Sequence, residues 1–202
     1  MYKSPSSALT ACQIWLAKRN LDAVIINAKQ NKFGHTGLLS ASGHLFITRT
    51  SQHILVDSRY YHELSAKADS YQLHMTDTQL PASAIINQII AQEKLACVGF
   101  EAEHLSYSQS LSLIEKINAE MSPICLDELR QIKTPSEIDT IKSACLIADC
   151  ACAHIRQYIR PGMTEHQIAN ELEWFMKNEG AEKTSFDTIV ASGVRGAMPH
   201  AK

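Results

Sequence analysis

The chain has 202 residues, of which 45% are hydrophobic and 20% charged, and its formal net charge is −2 at neutral pH. These are the proportions of a soluble globular protein of one large or two small domains. No basic run interleaved with aromatics marks a nucleic-acid footprint, and no run of about 18 apolar residues marks a membrane span or leader, so neither partner is expected and a cytoplasmic location follows by elimination.

Ala8 to Asn20 places Leu9, Cys12, Trp15, Leu16 and Arg19 at helical spacing, which predicts an amphipathic helix. Asp22 to Asn27 is a short apolar run with polar ends, the pattern of a buried strand. Ala28 to Gly43 brings Asn, Lys, Ser and several glycines together and reads as a loop. His44–Thr48 and His53–Asp57 flank the polar turn Arg49 to Gln52, which predicts a hairpin. A helix over Arg59 to Asp69 follows, with Asp57 as its cap, and then a strand at Tyr71 to Met75.

Pro81 opens a helix whose apolar face is Ile85, Ile86, Ile89 and Ile90. Ala96 to Phe100 is a further strand. Ser106 and Gln109 match a capping box, and the helix behind it is expected to bury Leu111, Ile114 and Ile117. Strands alternating with helices predict an α/β domain with a mixed sheet, ending near Arg130.

Thr134-Pro-Ser-Glu137 is a second capping box. Behind it Ile138, Ile141, Cys145, Ala148, Cys152, Ile155 and Ile159 keep a three-four spacing, so this face of a long helix to about Tyr158 is expected to be buried. Thr164 and Gln167 form a third box, ahead of a helix burying Ile168, Leu172, Phe175 and Met176, with Gly180 suited to its left-handed end. Ser185 to Ala191 reads as a strand that feeds a glycine-bearing loop to Pro199-His200. Two helices and one strand leave two apolar faces uncovered, so this segment is expected to be the start of a domain.

Most motifs with a mechanism are absent. There is no G-x-G-x-x-G, no P-loop and no G-x-S-x-G. His62-Glu63 begins H-E-x-x-H, but Ala66 stands where the second histidine belongs. Cys150 and Cys152 point about 200° apart on a helix, and the six cysteines are expected to be reduced, packed as small hydrophobes. Asp139 and Asp149 fall on the polar side of the long helix. Eight histidines (35, 44, 53, 62, 74, 104, 154 and 166) read as surface or structural residues; His200 differs by its setting after Gly193, Gly196 and Pro199.

The motifs that do occur come in a recognisable order. Leu129-Arg-Gln-Ile-Lys-Thr-Pro-Ser-Glu-Ile, Arg160-Pro-Gly-Met-Thr-Glu, Glu171-Leu-Glu-Trp-Phe-Met, and Ser185-Phe-Asp-Thr-Ile-Val-Ala-Ser-Gly with Pro199-His200 resemble the opening of a pita-bread metallopeptidase domain. Asn31 to Gly43 and Val56-Asp-Ser-Arg-Tyr60 resemble the N-terminal domain of the creatinase, prolidase and Xaa-Pro aminopeptidase group, with the bacterial Xaa-Pro aminopeptidase type nearest. The resemblance implies a ribonuclease-H-like mixed-sheet domain at 1–130 that helps form homodimers, and the first helices and strand of a pita-bread domain at 131–202. It implies two divalent ions, Mn²⁺ or Co²⁺, activating a water that cleaves Xaa-Pro peptides, and a substrate-binding role for His200. The family's metal ligands, two aspartates, a histidine and two glutamates, lie C-terminal to the Pro-His pair, where only Ala201 and Lys202 follow. Asp187 precedes that pair and is not among them. No catalytic or metal-binding residue is therefore assigned, no ion is expected in these 202 residues, and alone they are expected to be inert. A creatinase-like hydrolase of a guanidino compound, and a non-catalytic dimerisation or protein-interaction module, are the alternatives.

Overall fold

The computed structural model describes residues 5–36, 43–66, 71–199 and 201. They divide into two compact units, Met1–Thr134 and Pro135–Lys202.

The first unit is built on six strands: β1 (Ala23–Ile26), β2 (His44–Thr48), β3 (Gln52–Val56), β4 (Gln72–Met75), β5 (Cys97–Glu101) and β6 (Glu120–Ile124). Their order is β4-β3-β2-β1-β5-β6. Only β2 runs against its neighbours; the β1–β5, β3–β4 and β5–β6 ladders are parallel. Parallel strands need covered faces, and the helices supply the cover. They are α1 (Pro5–Lys18), α2 (Lys29–Thr36), α3 (Ser58–Ser65), α4 (Ala82–Glu93), α5 (Tyr107–Lys116) and α6 (Glu128–Gln131).

Side chains alternate across a strand, and the core divides accordingly. Val24, Ile26, Leu45, Ile47, Ile54 and Val56 pack with Cys12, Leu16 and Leu64. Ala23, Ile25, Phe46 and Leu55 face the isoleucines of α4, together with Val98 and Ile117. A strand buried on both faces has no polar side, which is why Ala23 to Ile26 is apolar throughout.

Local chemistry sets several boundaries. Asp57 caps α3, its carboxylate accepting the Arg59 amide at 3.0 Å. Ser106 and Gln109 make a complete capping box at α5. Pro81 stands one residue outside α4, at its N-cap. Gly43, just before β2, has φ +85°, and a Cβ there would lie 2.2 Å from the Leu55 carbonyl oxygen. Gly43→Ala is expected to cost at least about 1–2 kcal/mol from the left-handed backbone alone, read as a lower urea midpoint, because the blocking atom is backbone and cannot swing aside.

The second unit is a helical hairpin, α7 (Pro135–Tyr158) and α8 (Glu165–Asn178), followed by irregular chain and a 3-10 turn at Gly193–Ala197. Thr164 and Gln167 form the expected capping box. Gly180, at φ +102°, closes α8: its amide reaches Lys177 O, and the Ala181 amide reaches Met176 O. His154 joins the helices, stacked on Phe175 at 4.3 Å and bonded to Glu171 at 2.6 Å.

Several sequence expectations are corrected. Residues 28–43 are not wholly loop, since α2 occupies Lys29–Thr36. On α5, Leu111 and Ile114 are exposed and Ile117 alone of the three is buried. On α7 the buried residues are Ala151 and Ile155; Ile138, Ile141, Cys145, Ala148, Cys152 and Ile159 are exposed. Packing against α8 decides which stripe of α7 is covered, and the apolar residues occupy more than one stripe. Ser185 to Ala191 forms no strand; a ladder needs a neighbouring strand, and among the described residues the second unit has none. All six cysteines are free, but Cys125, Cys145, Cys150 and Cys152 are exposed and not packed as small hydrophobes; Cys12 is buried and Cys97 half-buried. No helix among the described residues is long and apolar enough to cross a membrane.

Candidate functional site

The most polar part of the first unit's interior lies where β1 and β5 end. Glu101, the last residue of β5, is 1% exposed. A buried carboxylate must be hydrogen-bonded to persist, and this one accepts the amides of Asn27 at 2.6 Å and Ala28 at 2.8 Å, as well as the side-chain amide of Asn31. The two backbone donors lie just ahead of α2, so the carboxylate acts as a cap supplied from another strand. Asn31 in turn accepts from Arg130 at 3.1 Å. Lys32 donates to the Gly43 carbonyl at 2.8 Å; burial lowers its pKa, and the Glu101 charge partly restores it. His44 bonds through Nδ1 to Asn27, and burial, then the Lys32 charge, hold its pKa below the usual value.

This cluster includes Asn31, Lys32 and Gly43 of the segment Asn31 to Gly43. It is a positioning device, since its charged groups are spent on holding α2 and the start of β2. A cavity of about 320 Å³ adjoins it, between Asn27 and His44 on one side and α4 and α5 on the other. Among the described residues that line it there is no carboxylate.

In the second unit the approach to Pro199 is set by Glu165, in the first turn of α8. Its carboxylate accepts the Ser192 amide at 2.7 Å and pairs with Arg195 at 3.0 Å. The Ser192 amide and then the Arg195 charge keep the Glu165 carboxyl below its ordinary range. One acidic side chain thus holds the start and the middle of the turn that precedes Pro199. His200 itself lies outside the described residues.

The donor groups present do not fit a pair of divalent ions. Among the described residues one grouping of three metal-capable side chains occurs, Glu103, Cys125 and Asp127, all exposed. The Asp127 amide favours the Cys125 thiolate, but desolvation and the Glu103 carboxylate outweigh it and raise the thiol's pKa. A protonated thiol between two solvated carboxylates is a poor ligand set for hard ions, which take oxygen donors.

The fold defines a mixed-sheet α/β unit and a second unit built on a helical hairpin. Residues 9–132 match the creatinase/prolidase N-terminal domain, and residues 139–202 match metallopeptidase family M24. The first of these matches covers more than half of the chain, which belongs to the creatinase/prolidase family. It is 30% identical over 183 residues to the uncharacterized peptidase YqhT of Bacillus subtilis, covering 89% of this chain and 51% of that protein. It is 29% identical to a putative Xaa-Pro aminopeptidase of Mycoplasma pneumoniae, covering 100% of this chain and 56% of that one. The solved Xaa-Pro dipeptidase of Bacillus anthracis superposes with a TM-score of 0.90 at 30% identity, covering 98% of this chain and 56% of that structure. The chain therefore spans about half the length of the relatives it matches.

Sequence reasoning did not single out Glu101 or Glu165. Glu101 has a signal, a lone carboxylate ending an otherwise apolar strand. Glu165 is the first residue of a capped helix, and nothing local separates it from an ordinary first-turn acid.

Proposed function

We propose that these residues are the N-terminal portion of a metal-dependent aminopeptidase or dipeptidase that cleaves Xaa-Pro bonds. The observation that carries this reading is the TM-score of 0.90, at 30% identity and over 98% of the chain, to an Xaa-Pro dipeptidase. On this reading residues 1–130 are the creatinase-like domain and residues 131–202 begin the pita-bread domain. The two ions, manganese or cobalt, are held by residues of the longer protein, because the described residues offer no fitting set. When bound, such ions supply an activated water and polarise the scissile carbonyl.

The role left to this chain is placement. Glu165 fixes the turn at Ser192 and Arg195, just ahead of Pro199. His200 contacts the substrate or its tetrahedral intermediate. The working protein is a cytoplasmic homodimer that takes Xaa-Pro peptides.

The test is steady-state hydrolysis of an Xaa-Pro dipeptide by the longer protein. His200→Ala is expected to lower kcat about 10²–10³-fold, the usual cost of losing one group aimed at a developing oxyanion. His104→Ala, on the exposed surface, is expected to leave it unchanged. Full activity in His200→Ala overturns the assignment of that residue. Hydrolysis of a guanidino compound in place of the peptide favours the creatinase-like alternative.

A further inference from the structure

A second polar chain crosses the first unit, away from Glu101. It begins on the edge strand and ends on α4. His74 Nε2 lies 3.0 Å from His53 Nδ1. His53 Nε2 lies 2.7 Å from Ser51 Oγ, and Ser51 Oγ lies 2.8 Å from Glu93 Oε1. His53 is 3% exposed, and its ring sits 6.2 Å from that of Phe46 on the core face. The β3–β4 register pairs His53 with Gln72 and Leu55 with His74. Residues two apart share a face, so both imidazoles point toward α4.

Counting protons fixes the direction of this chain. An ionised Glu93 can only accept, so Ser51 gives it its single proton. Ser51 is then an acceptor toward His53, which must carry its proton on Nε2. A neutral His53 therefore has a bare Nδ1, and His74 donates to it from Nε2. If one proton is added to the pair, the bond survives. A charged His74 still donates through Nε2; alternatively a charged His53 donates from Nδ1 to a His74 that has moved its own proton to Nδ1. If a second proton is added, two N–H groups face each other across 3.0 Å and the bond is lost.

We propose that His53 and His74 form a proton-counting clasp: it holds the edge strand β4 with no or one added proton and releases it on the second. This inference does not rest on the peptidase reading. The groups that face His53 are His74 from β4, Glu93 from α4 at 3.8 Å, Ser51 from the turn and the Phe46 ring from β2. Glu93 is the only charged one among them at neutral pH. It favours a proton on His53. Burial first, and His74 second, lower the pKa of His53; burial lowers that of His74.

The sign follows. Both imidazoles bind protons less readily folded than unfolded, so below the unfolded value of about 6.5 the unfolded chain takes up more protons and stability falls. Above that value the contribution is fully present. Release of β4 leaves the backbone groups of β3 as a new sheet edge.

The experiment is amide exchange on the whole 202-residue chain as the pH is lowered from neutral to mildly acid, corrected for intrinsic rates. Protection at Gln72 to Met75 is expected to fall selectively, while β1 and β5 stay protected. His74→Gln keeps a donor for His53 but cannot be charged, and is expected to remove the pH dependence. Unchanged β4 protection in the native chain, or the same loss in His74→Gln, overturns the clasp. Should His74→Gln fail to fold, imidazole NMR titration of the native chain decides. Two steps at least about tenfold apart in proton affinity support the coupled pair, and two independent titrations near the ordinary value overturn it.

Discussion

Glu101→Ala is expected to destabilise the first unit by about 3–5 kcal/mol, the usual cost of removing one partner from a buried charged network. The truncation leaves the Asn27 and Ala28 amides and the Asn31 side chain without their acceptor, at a position 1% exposed to water. It also removes the charge that supports the buried Lys32 ammonium. Glu101→Gln keeps one carbonyl acceptor and is expected to cost less, about 1–3 kcal/mol. Urea denaturation measures both. A Glu101→Ala variant within about 0.5 kcal/mol of the native chain, the range of an ordinary surface change, contradicts the view that this carboxylate organises α2.

Phe46→Ala is expected to cost about 3–5 kcal/mol for a different reason. Phe46 is fully buried at the centre of β2, opposite Ile25 on one neighbour and His53 on the other. Above it lie Ile85, Ile86, Ile89 and Ile90 of α4. Two backbone ladders flank the position, so the walls cannot close on the space the ring leaves, and the cavity term adds to the lost burial. Phe46→Leu refills most of that volume and is expected to cost less than half as much. Equal losses in the two variants would show that volume is not what Phe46 contributes.

These two residues also show what the sequence could and could not reveal. The hairpin containing Phe46 was legible because both strands are continuous apolar runs around a polar turn. The capping boxes at Ser106 and Thr164 and the glycine at 180 were legible because the bonds they make stay within a few residues. The helix α2 was not. Its composition is polar and its stability comes from Glu101, 70 residues away along the chain from Asn31. Strand β6 was missed because it contains Pro123, which a sheet tolerates at an edge, and β6 is an edge strand. The face of α7 was misread because its apolar residues cover several stripes and only contact with α8 selects one; Ile155 belongs to both the expected stripe and the observed one.

The candidate site was legible only as an order of motifs. Pro199-His200 stood out through its glycines and its resemblance to a family. The residue that positions the turn before it, Glu165, gave no local sign. Its partners Ser192 and Arg195 are 27 and 30 residues further on, and their bonds to it appear only once the chain is folded.

The central claim is that the catalytic ions belong to the longer protein and that this chain contributes its first domain and the approach to the Pro-His pair. The most direct measurement compares Mn²⁺ binding by calorimetry, and Xaa-Pro dipeptide turnover, in the longer protein and in the 202-residue polypeptide. The longer protein is expected to bind two ions, to lose turnover on chelation and to regain it with Mn²⁺ or Co²⁺. The 202-residue polypeptide is expected to show neither stoichiometric binding nor turnover. Two bound ions and peptide cleavage by the 202-residue polypeptide alone would contradict the account.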